Sequence, residues 1–73
     1  MGNFINDDIK IDFPVNVTIK HMMDKCEQND KDDDYALYMN NADFLVYTLA
    51  KEAYVEGEIT KKQWEKIEMR YPQ

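Results

Sequence analysis

The apolar positions of the chain change their spacing near residue 19. From Ile9 to Ile19, the odd positions Ile9, Ile11, Phe13, Val15 and Val17 are apolar and the even positions mostly polar. That is the two-residue period of extended chain. No other stretch offers a second strand, and Pro14 removes a ladder donor while keeping Phe13 extended. The pattern predicts an arm over 9–14 that lays Ile9, Ile11 and Phe13 on the rest of the molecule. The alternative is a strand that pairs with its twin in a dimer or with a partner's sheet edge. Residues 1–8 are mostly polar and predict a loosely held terminus.

After Ile19 the period lengthens. Ile19, Met22, Met23 and Cys26 fall at i, i+3, i+4 and i+7, one face of a helix over roughly 17–28 with Asn16 as its cap. The polar run at 29–34 predicts a loop. A broad stripe built on Tyr35, Tyr38, Met39, Ala42, Leu45, Val46, Leu49 and Ala53 then predicts a second helix from 33 or 34 to 56. Asn40 and Asn41 are poor helix formers and mark its expected weak point, where Asn41 can cap a fresh start.

The stretch 56–64 predicts a helical hairpin. Gly57 stands where a helix needs a left-handed residue to stop. Thr60 and Gln63 form a capping box, and Ile59 and Trp64 flank it as a hydrophobic staple. A third helix over 61–71 turns Trp64, Ile67 and Tyr71 inward and ends at Pro72. Lys61 and Lys62 sit where the helix dipole prefers acids, a misfit of a few tenths of a kcal/mol. The fold class is therefore all-α. Residues 1–73 form a single small three-helix domain, with an extended arm (1–14) and a helical core (16–73) around Trp64, Leu49, Leu45, Met22 and Ile19.

Charge adds a direction to this frame. The net charge is −6, and residues 1–44 carry ten acids and four bases while the remainder balances at five of each. An acidic surface repels nucleic acid and anionic membrane and suits a basic protein partner. With no apolar run long enough for a membrane span, and no signal-peptide pattern in Met1–Phe4, the expectation is a cytoplasmic protein. Met1-Gly2 begins like a myristoylation signal, but Asn6 stands where Ser or Thr is required. Cys26 is the only cysteine, so the chain makes no internal disulfide, which fits a reducing compartment. A core this small gains from self-association, so a homodimer is also expected.

The candidate chemistry is sparse. Counted as a calcium loop from Asp30, the acids Asp30, Asp32 and Asp34 fall correctly, but Tyr35 replaces the turn glycine and Asn41 the bidentate glutamate. One histidine (His21) and one cysteine make a zinc site improbable. His21 and Cys26 lie on different faces of one helix, there is no serine, and glycine occurs only at 2 and 57. These counts argue against an enzyme and against any cofactor or metal. Exposed tyrosines beside acids are common at protein interfaces. The partner-binding residues predicted are Asp30, Asp32, Asp33, Tyr38, Asp43 and Tyr47.

The run Tyr54-Val55-Glu56-Gly57-Glu58-Ile59-Thr60-Lys61-Lys62-Gln63-Trp64-Glu65-Lys66-Ile67 resembles the turn of many small bacterial helical modules, including short C-terminal SHOCT-type hairpins. The preference for Lys, Asn, Asp and Ile is similar to that of small acidic proteins of phages and mobile elements in Gram-positive bacteria. Some of those inhibit host defence, anti-CRISPR proteins among them. The resemblance implies a small helical inhibitor and transfers no individual residue. Residues and resemblance together predict a non-enzymatic acidic interaction module that occupies a basic, nucleic-acid-binding surface of another protein. The alternative is a homodimeric structural or assembly protein that associates through its arm and apolar helix faces.

Overall fold

A computed structural model describes residues 4–73. Helix α1 spans Val17–Lys31, α2 Tyr35–Phe44, α3 Lys51–Val55 and α4 Lys61–Arg70, and a π-helical segment, Leu45–Ala50, joins α2 to α3. Phe44, Leu45, Ala50 and Lys51 all keep right-handed helical angles, so α2, the π segment and α3 form one unbroken rod. At 1.5 Å per residue its 35–55 span is about 31 Å long, close to the 34 Å length of the molecule. The protein is thus three helical rods, all-α as the spacing predicts, with no strand among the described residues.

The apolar stripes meet in one core. Ile19 and Cys26 of α1, Tyr38, Leu45 and Val46 of the long rod, and Ile67 and Tyr71 at the α4 end are all fully buried. Burying an Ile or Leu side chain of this kind contributes about 1.5–3 kcal/mol. Two of the five core positions read from the sequence, Ile19 and Leu45, lie at its centre, while Met22, Leu49 and Trp64 pack against its edge. The edge position of Trp64 has a local cause. Its indole N–H donates to the Val46 carbonyl at 2.9 Å, inside the π segment, and its ring stacks on Tyr54. A buried indole needs such a partner.

The irregularity of the long rod lies at 45–50 and not at the two asparagines. Asn41 caps nothing. Its Nδ2 donates to Oδ1 of Asn29 on α1 at 2.7 Å, tying the two rods together. Helix α1 also continues past the expected end at 28. Asn29 extends its apolar face by one more step of the helical repeat and is itself buried, not part of a loop.

The arm keeps the predicted alternation without pairing to a strand. Ile9, Ile11, Phe13 and Val15 are half-buried, whereas Lys10, Asp12, Pro14 and Asn16 are exposed. The expected loose terminus is corrected over 4–8, because Phe4 and Ile5 pack on the core. The amide of Phe4 donates to Asp30 Oδ1 at 2.8 Å, and the amide of Asn6 to the Arg70 carbonyl at 2.9 Å. The part of that expectation on residues 1–3, and the readings of Met1-Gly2, lie outside the described residues.

Candidate interaction surface

The acidic run folds into a fixed corner between α1 and α2. Asp32 is the C-cap of α1, and Asp33 follows at φ +57°, the left-handed conformation that usually calls for glycine. The amide of Asp33 donates to the Asp30 carbonyl at 3.2 Å and that of Asp34 to the Asn29 carbonyl at 3.0 Å. This pair of bonds is a Schellman closure. The hairpin at Gly57 (φ +82°) repeats it, with Gly57 donating to the Tyr54 carbonyl and Glu58 to that of Ala53. Asp at the left-handed position is tolerated because its short polar side chain suits that conformation better than most.

Three of the four carboxylates of the corner accept a hydrogen bond, each from a different donor. Asp34 caps α2, its Oδ1 accepting from the Leu37 amide at 3.1 Å. Asp32 accepts from Gln28 Nε2 at 3.0 Å, and Asp30 holds the arm at Phe4. Asp33 has no hydrogen bond from its side chain among the described residues. Asp32, Asp33 and Asp34 are exposed, and no cation pairs with any of the four in the described part of the chain. The described ion pairs lie elsewhere: Lys20 with Asp24, Lys66 with Asp12, and Arg70 with Glu27 and Asp7.

The six residues read from the sequence as partner-binding do not form one patch. Asp30, Asp32 and Asp33 stay together at the corner. Asp43 and Tyr47 stand one turn apart, farther along the rod, and both are exposed. The Tyr47 hydroxyl donates to Glu68 Oε2 at 2.7 Å, and that bond to a carboxylate raises the phenol pKa. Tyr38 must be removed from the set. It is 1 % exposed, and its hydroxyl donates to the Pro72 carbonyl at 2.8 Å, with the Phe4 carbonyl at 3.3 Å. It fastens both ends of the chain to α2, and burial pushes its phenol pKa up.

The residues that organise this surface from beneath were not legible as such. Arg70 reaches from α4 to the Ile9 carbonyl at 2.7 Å, to Glu27 Oε2 at 3.3 Å and to the Tyr71 hydroxyl at 3.3 Å. Tyr71 in turn donates to Glu27 at 2.9 Å. The only signal was a charged residue three positions after Ile67, on the inward face of α4. Above Arg70, between arm and α1, lies a cleft of about 520 Å³ walled by Ile11, Phe13, Val15 and Met23. Neither potential nucleophile serves it. His21 is exposed and does not line it, and Cys26 is buried, its thiol pushed up to about 12 by desolvation and then by Glu27. Among the described residues, no cluster of three or more His, Cys, Asp or Glu is placed to hold a metal ion. No helix there is long and apolar enough to cross a membrane.

Comparison with protein-family models, curated proteins and solved structures finds no match to this chain.

Proposed function

We propose that this protein is a non-enzymatic interaction module that occupies a basic, nucleic-acid-binding surface of a partner protein, its carboxylates standing where phosphates would bind. One observation carries the reading. Asp32 and Asp33 project from a corner closed by backbone hydrogen bonds, exposed and without a described counter-charge. Carboxylates held in place by the backbone lose little entropy on binding, and charge complementarity speeds encounter. The excess of acids in residues 1–44 and the resemblance to small inhibitory proteins agree with this role. A reducing, cytoplasmic setting suits the single buried thiol of Cys26.

The test is Asp32→Asn with Asp33→Asn. Both changes are gentle to the fold, since Asn keeps an acceptor for Gln28 and tolerates the left-handed backbone at 33. A partner captured from the source cell should associate more slowly with the double variant, and the salt dependence of association should flatten. Equal association rates for wild type and variant at low and high salt would defeat the proposal.

A further inference from the structure

The solvent face of the long rod carries a second, apolar feature that the acidic corner does not explain. Leu37, Phe44, Tyr47 and Val55 are 47, 45, 48 and 72 % exposed. With Thr48 and Lys51 they recur at helical spacing along one side of the rod. From Phe44 to Val55 the stripe runs about 16 Å, three helical turns. Its centre is concave: Tyr47, Thr48, Lys51, Glu52, Val55 and Glu56 line a depression of about 310 Å³. Tyr47 and Thr48 belong to the π segment, a helix variant frequent at functional sites. Single exposed apolar residues are ordinary, but four on one side of a rod, two of them lining a hollow, mark a contact surface.

The charges around the hollow define what fits it. Glu52 and Glu56 line its walls, and Asp43 and Glu68 stand beside Tyr47. Lys51 is the one cation among the lining residues. An apolar stripe edged by four carboxylates repels an acidic helix, and it repels a second copy of a chain whose net charge is −6. We infer that this face docks a basic amphipathic helix of a partner protein, taking the helix's apolar side chains along the Phe44–Val55 stripe and its Lys or Arg side chains at Glu52, Glu56 and Asp43. The mode is helix-in-groove recognition, with anchors one and two turns apart on the incoming helix. The residues are distinct from the α1–α2 corner, so this inference and the proposed function fail separately.

Two synthetic Leu/Lys peptides of about five turns test it. They share one composition, one with its leucines on a single helical face and one scrambled. Titrated into ¹⁵N-labelled protein, the amphipathic peptide should move the amides of Phe44, Thr48, Lys51 and Val55, and bind about tenfold or more tighter than the scrambled one. Phe44→Ser with Val55→Ser should remove that preference, while Asp32→Asn with Asp33→Asn should keep it. The idea is overturned by equal affinity for the two peptides, or by shifts confined to 30–34. It is equally overturned if sedimentation shows a dimer that the Phe44/Val55 variant converts to monomer, since a second copy would then be the occupant. Should the Ser variant lose its helical circular dichroism, the shift map and the peptide comparison on wild-type protein decide.

Discussion

Asn41 donates its side-chain amide to the Asn29 oxygen at 2.7 Å, joining two rods through a contact in which Asn29 is 6 % exposed. Removing one partner strands the other in a dry place. Asn41→Ala should cost about 1–3 kcal/mol, and a double-mutant cycle with Asn29→Ala should show that the two losses are not additive. Urea denaturation measures both. Additive losses would mean that the pair is not coupled.

Arg70 holds the arm by accepting the Asn6 amide on its backbone and donating its guanidinium to the Ile9 carbonyl. Arg70→Met keeps the aliphatic stem and deletes the donors. The expected cost is about 2–3 kcal/mol, because Ile9 and Glu27 lose a charged partner. Chymotrypsin should then cut after Phe4 well before the helices unfold, since Pro14 protects the bond after Phe13. Unchanged cleavage would show that apolar packing alone keeps the arm in place.

The two left-handed residues predict different responses. Gly57→Ala meets nothing within 4 Å of the added methyl group, so its cost is purely that of the backbone at φ +82°, about 1 kcal/mol. Asp33→Gly relieves the same conformation at φ +57° and should stabilise by about 0.5 kcal/mol or be neutral. Thermal melts should fall for Gly57→Ala and rise or stay level for Asp33→Gly. A clear loss in Asp33→Gly would mean that the carboxylate has a structural partner.

Burial raises the Cys26 thiol from its ordinary value of 9.0 to about 12. Tyr38 and Tyr71 are raised from 10.0 for the same first reason, with Glu27 adding to the effect at Tyr71. A raised acid favours its neutral form in the folded chain. The stability it contributes is therefore complete below its unfolded pKa and is lost as pH rises through the folded one. The melting temperature should be insensitive to these three groups up to about pH 9 and fall beyond it. At pH 8, Cys26, buried and held protonated, should be alkylated far more slowly than an exposed thiol. A melting temperature that stays level to pH 11 would contradict this account.

The sequence by itself determined what local chemistry controls. The Asn16 and Thr60 caps, the Gln63 capping box and the Gly57 stop involve neighbours within a few residues, and all four stand as the spacing predicts. The period-2 arm and the three amphipathic stripes were equally readable, because a face that must be buried writes its geometry into the residue order. What the chain order could not give is which faces meet. Local chemistry marks Asn41 as a weak point of the helix that can serve as a cap, whereas its partner lies 12 positions away on another rod. Tyr38 was read as a contact residue beside acids, but the two chain ends converge on its hydroxyl. Arg70 gains its role from an arm more than sixty positions earlier. The acidic run is legible as charge, yet only the tertiary structure shows that Asp30 holds the arm at Phe4 while Asp33 has no side-chain partner among the described residues. The physical reason is the same in each case. Hydrogen bonds between distant segments depend on the packing angle of the rods, and no local preference of a single residue encodes that angle.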